Sequence, residues 1–567
     1  MKSYEYRTGV VQTLAELGNV ERNLEICEYY VKQAARQGVK LLVFPECMNI
    51  GYLYDSPEHS RKIAKSETVD GPFTTGLGRL ARRHGMHIAS GITEWDPDRE
   101  KLFNSGVLLD EKGELISHYH KQFLATHDQH WFEFGERGFP VVDTDLGRLG
   151  MMICFDGRIP EIARCTALEG AEVVVDMANF FVLDQADMWG PARALENGFW
   201  LCAATKSGDE RSIYYPGGSM IADPDGRVRA RVPYDVHDIA VAEVDPTMAR
   251  DKGWFNGGDR FADRRPDAYE LLSKPYAETP VATVGAQPIV PNEAAFKYGA
   301  VQSHVCEGTG HSLENVLEQA GHAAKLAIKM IVLPEYVASP NWRIDREEAE
   351  RLANINDSLI QRFAEESQAW GGYVLLSNVE RVGDKLCPTA FLIAPDGTVA
   401  GRYRKVHLLS DEAEWATPGN AFPVFETPYG RIGVMLGYDG CFPESARCLG
   451  VGGADVILWP NRAQTQSERT LLAGTRSADN RCAVVMANRI DAPFAGGSLV
   501  MPPAQLPTWD VDAVLPDYRQ MDRVLFAFID LAAARQKQLI GKVDVFANRL
   551  TETYGPLVTK ASDATAA

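Results

Sequence analysis

Short, continuous apolar runs alternate along the first half of the chain with segments whose apolar residues recur at helical spacing. TGVVQTL, KLLVF, GMHIASGITEW, RLGMMICF and AEVVVDMA read as strands. The uninterrupted KLLVF marks a strand buried on both faces. NVERNLEICEYYVKQAARQG has helical periodicity and stops at Gly38, a residue suited to a helix C-cap. PEIARCTALEG and PARALENGFW read as further helices, and NSGVLLDEKGELISHYHK as two strands joined by a hairpin with a KG turn. This alternation predicts α/β layers built on a mixed sheet.

The pattern then starts again. KLLVFPE (40–46) returns as KMIVLPE (329–335), and RLGMMICFDGRIPEIARC (148–165) as RIGVMLGYDGCFPESARC (431–448). The offset holds: Glu46 to Glu335 is 289, Lys121 to Lys405 is 284, and Arg148 to Arg431, Arg193 to Arg476 and Asn197 to Asn480 are each 283. A period this long is a duplicated domain rather than a solenoid. The expected domains are 1–280 and 290–558. They are joined by a small, Pro-bearing linker near 277–293 and followed by a disordered tail, KASDATAA.

Composition narrows the partners. The chain has 567 residues, 45% of them hydrophobic, enough for more than one core. The 58 basic and 77 acidic residues leave a net charge of −19, which argues against nucleic acid or an anionic membrane as the main partner. No apolar run reaches the ~18 residues of a membrane span, and the N-terminus lacks the apolar core of a signal peptide. Ten cysteines with no CxxC pair read as free thiols in a reducing, cytoplasmic compartment.

Three residues of the first copy fall at strand ends. Glu46 closes KLLVFPE, Lys121 closes the strand with SHYHK, and Cys154 closes RLGMMIC before a tight FDGR turn. A thiol on a strand-to-helix turn is placed to attack a carbonyl beside free backbone N–H groups. A carboxylate can take its proton, and an ammonium can stabilise developing negative charge. Taken singly, these residues read more readily as a buried cysteine and two surface charges.

The longer strings resemble the nitrilase, or carbon–nitrogen hydrolase, superfamily: the FPE segment at Glu46, NSGVLLDEKGELISHYHK at Lys121, ICFDGRIPE at Cys154 and RALENGFW after it. The resemblance covers roughly 5–270 and returns in the second copy. It implies two tandem αββα sandwich domains, packed as an internal pseudo-dimer that could assemble further. It also implies a thioester mechanism, with Glu46 as general base and acid, Lys121 stabilising the tetrahedral intermediate, Cys154 as nucleophile and the Phe155 N–H in the oxyanion hole. Many members carry a second glutamate seven residues before a glycine. Here Asp128 precedes Gly135 by seven, one methylene shorter, and Glu133 is a poorer substitute.

The second copy keeps Glu335, Lys405 and Glu412 but has Gly437 where the nucleophile belongs, so it is expected to be degenerate. Cys441, four residues on, stands at the position of Arg158. His118, His120, His127 and His130 crowd Lys121, but strand alternation turns His118 and His120 away from Lys121, so neither metal nor cofactor is expected. Phe155-Asp156 after the nucleophile resembles the amidase and carbamoylase branches, where nitrilases proper have Trp-Glu. The expected reaction is hydrolysis of a small linear amide or N-carbamoyl compound with release of ammonia. Nitrile hydrolysis, acyl transfer and a non-catalytic scaffold are the alternatives. Asn179, Phe180, Phe181 and Trp189 are candidate pocket residues, with plain core packing the other reading.

Overall fold

The computed structural model describes residues 4–125, 127–285, 295–305, 313–503, 521–539 and 542–559. Residues 286–293 of the expected linker and the tail from 560 lie outside these. The part of the linker that is described begins a short helix, Pro280–Gly285. The chain divides into two compact units. One comprises Met1–Lys252, Ile540–Asp544 and Asn548–Leu557, the other Gly253–Leu539, Val545–Ala547 and Val558–Ala567.

The first unit is a sandwich of two six-stranded sheets. Its strands are β1 (Tyr6–Gln12), β2 (Val39–Val43), β3 (His87–Asp96), β4 (Lys101–Leu109), β5 (Leu115–His120), β6 (Val141–Thr144), β7 (Gly147–Ile153), β8 (Val173–Ala178), β9 (Trp200–Thr205), β10 (Ser207–Glu210), β11 (Ile213–Pro216), β12 (Met220–Ala222), β13 (Val228–Arg231) and β14 (Asp238–Val244). One sheet runs β14-β1-β2-β3-β4-β5 and the other β13-β12-β9-β8-β7-β6, while β10 and β11 form a separate hairpin. Both large sheets are mixed: β1-β2-β3 and β7-β8-β9 are parallel, and their flanks antiparallel.

Helices α1 (Val20–Arg36) and α2 (Pro72–His84) cover the outer face of the first sheet. Cys27, Tyr30, Val31, Phe73 and Leu77 pack there on Leu42 and Ile88. The inner faces meet directly, so that a Cβ on Gly106 of β4 would come within 2.7 Å of Met177 of β8. Helices α3 (Pro160–Leu168) and α4 (Gly190–Asn197) follow β7 and β8. The helix expected through Trp200 stops at Asn197: Gly198 takes φ +58 as a left-handed cap, and Trp200 opens β9. The expected hairpin is present between β4 and β5, its turn carried by Gly113 at φ +78.

The second unit repeats the design. Its strands are β15 (Ala295–Gln302), β16 (Met330–Val332), β17 (Tyr373–Val382), β18 (Lys385–Ile393), β19 (Val399–Arg404), β20 (Val424–Thr427), β21 (Gly430–Val434), β22 (Val456–Asn461), β23 (Ala483–Asn488), β24 (Leu499–Met501) and β25 (Arg523–Asp530). They form sheets β19-β18-β17-β16-β15-β25 and β20-β21-β22-β23-β24. Val332, Leu375, Val434, Leu458 and Val485 share the core between them. Each unit is thus an αββα sandwich, as expected. Among the described residues, no helix is long and apolar enough to cross a membrane.

Candidate active site

In the first unit, parallel strands bring their C-terminal ends together, which is where α/β sheets place ligands. Glu46 lies just beyond β2, Lys121 directly after β5, and Cys154 directly after β7. Two glycines permit the close approaches. A Cβ on Gly91 would fall 2.5 Å from the Cα of Glu46, and one on Gly135 would fall 2.2 Å from the carbonyl oxygen of His120. Gly135 donates its N–H to the Lys121 carbonyl at 2.9 Å. The spacing of seven from Asp128 therefore serves to fold the loop back onto the lysine.

The Lys121 ammonium lies 2.8 Å from Glu46 Oε1 and 2.8 Å from Asp128 Oδ2, all three side chains being 1% exposed or less. The missing methylene of Asp128 thus does not prevent it from holding the lysine. The Asn104 amide donates to Glu46 Oε1 at 2.5 Å and to Asp128 Oδ1 at 3.4 Å. The contacts of Lys121 and Asn104 with Glu46 are both made to Oε1. Glu133, by contrast, pairs with Lys101 at the surface.

Cys154 opens the short 3₁₀ turn Cys154–Arg158 with φ +52, a left-handed conformation that non-glycine residues adopt at a cost of order 1–3 kcal/mol. The turn is held from several sides. Asp176 accepts the Cys154 N–H at 2.7 Å, and Gln185 donates to the Cys154 carbonyl at 3.1 Å. Asp156 accepts from the N–H groups of Phe123 and Ile153 and from the Tyr119 hydroxyl. The Cys154 thiol points to the Asn179 carbonyl at 3.6 Å. Phe155 is second in the turn, where N–H groups lack an intrahelical acceptor.

Electrostatics suit a neutral thiol facing a basic carboxylate. Burial, reinforced by the Glu46 charge, pushes the Cys154 thiol well above its ordinary value. Burial also raises Glu46; Lys121 pulls it down and Asp128 adds to the rise, leaving it above the usual glutamate range. For Lys121, burial would lower the ammonium, but Asp128, Glu46 and the sulfur outweigh it and hold it well above normal. Burial raises Asp176 to about 8 and Asp156 to about 6.

The pocket candidates separate. Asn179 reaches the nucleophile, and both polar atoms of its buried amide are without a protein partner. Phe180 is buried, its N–H bound to Thr205 Oγ1. Phe181 stacks on Tyr215 at 5.5 Å. Trp189 lies under the Arg158 guanidinium, 3.8 Å away, and Arg158 pairs with Asp184. Asn104 and Asp176 were not singled out from sequence. Each carried a signal, as a polar residue inside an otherwise apolar strand.

The site in the second unit is chemically different. Lys405 contacts Glu335 at 2.9 Å and Glu412 at 2.7 Å, so the Glu-Lys-carboxylate set is intact. Gly437 keeps the left-handed φ of +51, but even a Cβ there would sit 2.5 Å from Glu335 Oε1. Arg462, at the position of Asn179, fills the space. Its guanidinium contacts Glu335 Oε2 at 2.9 Å, Glu412 Oε1 at 3.2 Å and the Trp342 carbonyl at 2.8 Å. Burial would raise Glu412, but Lys405 and Arg462 outweigh it and hold it below the usual range. Pro388 replaces Asn104, to judge from the matching bonds of Lys121 and Lys405 to residues 104 and 388. Cys441 is fully buried at the end of its turn.

Among the described residues two clusters could accept a metal by ligand type, Glu94, His118 and His120, and His87, Glu111 and Asp145, the donor atoms of each lying within 4.8 Å of one another. Arg137 also reaches His120. For the first of these clusters the matching residues of the second unit are Glu380, Arg402 and Arg404, with the carboxylate paired to both arginines. Arginine does not ligate metals, so what the two copies share is a carboxylate bonded to two basic side chains. As strand alternation requires, it lies apart from the contacts of Lys121.

Comparison with known proteins follows this geometry. The carbon–nitrogen hydrolase family model matches residues 7–252 and again 281–536. The chain is similar to a nitrilase of Pyrococcus abyssi, 35% identical over 263 residues, covering 46% of this chain and 98% of that protein. It is similar to an omega-amidase of Saccharomyces cerevisiae, 27% identical over 264 residues, 43% of this chain and 89% of the relative. A citrullinase of Francisella tularensis is 28% identical over 288 residues, 48% of this chain and 99% of the relative. Among solved structures, an amidase from Nesterenkonia sp. AN1, carrying an acetamide moiety on its active-site cysteine, aligns with 25% identity and a TM-score of 0.40 over 44% of this chain and 92% of that one.

Proposed function

The chain belongs to the carbon–nitrogen hydrolase family, and on that premise we propose that its first unit hydrolyses a small primary amide or ureido compound through a thioester on Cys154. The observation that carries the amide reading is Asn179. Its backbone carbonyl meets the thiol, and its buried side chain carries one donor group and one acceptor without a protein partner. A primary amide, with its own N–H and carbonyl, complements both; a nitrile offers only an acceptor. The similarity to an omega-amidase and a citrullinase supports the same substrate class.

In this mechanism the thiol attacks the carbonyl carbon as Glu46 takes its proton through Oε2. The Lys121 ammonium and the Phe155 N–H stabilise the oxyanion. Glu46 returns the proton to the departing nitrogen, ammonia leaves, and a thioester remains. Water, deprotonated by Glu46, then releases the acid and restores the thiol. A carbamoyl group would leave as CO2 and ammonia. Asp128 and Asn104 hold Lys121 and Glu46 in register and undergo no chemistry themselves.

The test is a screen of primary amides, ureido acids and nitriles for ammonia release, with Cys154→Ala as control and added hydroxylamine to detect acyl transfer. Ammonia from amides or ureido acids, abolished in Cys154→Ala, is the expected result. Turnover of nitriles alone, or full activity in Cys154→Ala, refutes the reading.

A further inference from the structure

The ends of the two copies are exchanged between the units: Gly253 onward belongs to the second unit, and Asn548–Leu557 to the first. We propose that the arm formed by the end of the chain positions Lys121 and Cys154, so that the reaction proposed above depends on residues beyond the second copy. The two arms are themselves a repeat. GDRFADRRPDAY (258–269) matches VDVFANRLTETY (543–554), with Asp, Phe, Ala, Arg and Tyr shared at an offset of 285.

Within the first unit, Arg549 Nε contacts Glu161 Oε1 at 2.8 Å, across 388 positions of sequence, with both side chains no more than 2% exposed. Glu161 is the second residue of α3, the helix that begins directly after the nucleophile turn. Truncating one member of a buried pair of this kind is strongly destabilising. Four residues on, Thr553 Oγ1 donates to Gln122 Oε1 at 3.2 Å. Gln122 adjoins Lys121 and is tied by its own amide to the Gly138 carbonyl. Tyr554 lies buried under the Arg549 guanidinium.

The arm therefore grips two segments that belong to different sheets. One follows β5 and carries Lys121; the other follows β7 and carries Cys154. The distance between oxyanion stabiliser and nucleophile depends on how these segments are held, and a 1 Å misplacement costs on the order of 100-fold in rate. The second unit contains the same device, Arg264 on Glu444 at 2.9 Å, where there is no nucleophile to position. That pair supplies an internal control.

The experiment compares full-length Arg549→Ala, Arg549→Lys, Thr553→Val and Arg264→Ala. Thioester formation on a turned-over amide is followed by quenched mass spectrometry, with kcat and KM. Alkylation of Cys154 by iodoacetamide is measured in parallel. Arg549→Ala is expected to lower kcat and the thioester rate about 10–100-fold with little change in KM, and Arg549→Lys to recover most of the loss. Thr553→Val, a milder change that retains the fold, should lower kcat several-fold and change the alkylation rate. Arg264→Ala should reduce thermal stability to a similar degree yet leave kcat within about two-fold. Wild-type rates in Arg549→Ala or Thr553→Val, or an equal loss in Arg264→Ala, overturn the proposal. If no wild-type thioester forms, the proposed function fails. The alkylation rates still decide this inference, since they should change in Arg549→Ala and not in Arg264→Ala.

Discussion

Grafting the arginine of the second site into the first, as Asn179→Arg, separates the roles of charge and space. The first site holds Glu46, Asp128 and Lys121, two carboxylates to one ammonium. The second holds Glu335, Glu412, Lys405 and Arg462, two of each. A guanidinium entering from position 179 would reach Glu46 Oε2, as Arg462 reaches Glu335 Oε2 at 2.9 Å. In the proposed mechanism that oxygen takes the thiol proton. The shorter Asp128 would miss the second contact that Glu412 makes.

Two magnitudes follow. One charged hydrogen bond gained in a buried site is worth about 1.5–3 kcal/mol, which raises the melting temperature of a domain this size by several degrees. Losing the general base costs on the order of 10²–10⁴-fold in rate, and the filled pocket adds to that. The assays are ammonia release, thioester detection and thermal unfolding, with Asn179→Ala as the neutral reference. Asn179→Arg should be more stable than Asn179→Ala and almost inactive. An Asn179→Arg enzyme within tenfold of wild type, or one melting below Asn179→Ala, would refute the reasoning.

Other outcomes are expected from the same geometry. Cys154→Ser should lose several powers of ten in kcat, whereas Cys441→Ser, altering a buried thiol in the second unit, should be near neutral when assayed for ammonia. Asp128→Glu should keep most of the activity, since Glu412 holds Lys405 in the same way, while Asp128→Asn, which leaves the ammonium one carboxylate, should lower kcat. The acidic limb of kcat/KM should lie above the free glutamate value of about 4.3, because activity needs ionised Glu46 and burial raises it. Asp176, raised to about 8, keeps its proton when folded and loses it near 3.9 when unfolded, so its stabilising effect is full below about pH 4 and lost as pH rises to about 8. Asp176→Asn should flatten that part of a chemical-denaturation profile; an unchanged slope would count against it.

How far the sequence carries this picture depends on the range of the forces involved. Strands such as KLLVF and RLGMMIC, and the helix ending at Gly38, are specified by local periodicity and were legible. The end of α4 was misread because Phe199 and Trp200 extend an apolar pattern that only the left-handed Gly198 interrupts. The Glu46, Lys121 and Cys154 candidates were found through their strings. Asn104 and Asp176 act on residues that follow other strands of their own sheets, so their partners became visible only with the fold. Arg462 could have been found by applying the 283-residue offset to Asn179. What that offset could not show is that its guanidinium reaches both carboxylates.

The duplication also distinguishes what the fold needs from what the chemistry needs. Contacts present in both units persist where no nucleophile remains. Tyr119 on Asp156 has its match in Tyr403 on Asp439, and Gln12 on the N–H groups of Gly218 and Ser219 has its match in Gln302 on Gly497 and Ser498. These belong to the scaffold, and so does the left-handed turn retained at Gly437. The Glu-Lys pair is harder to classify, since it is retained in both. Its surroundings differ: at Glu335 the second oxygen is bound by Arg462, while the contacts of Glu46 with Lys121 and Asn104 both use Oε1. The second unit thus adds a charged hydrogen bond to its glutamate, and the first unit does without it while keeping a cysteine in a strained left-handed conformation. Those are the features a structural domain would shed and a catalyst has reason to keep.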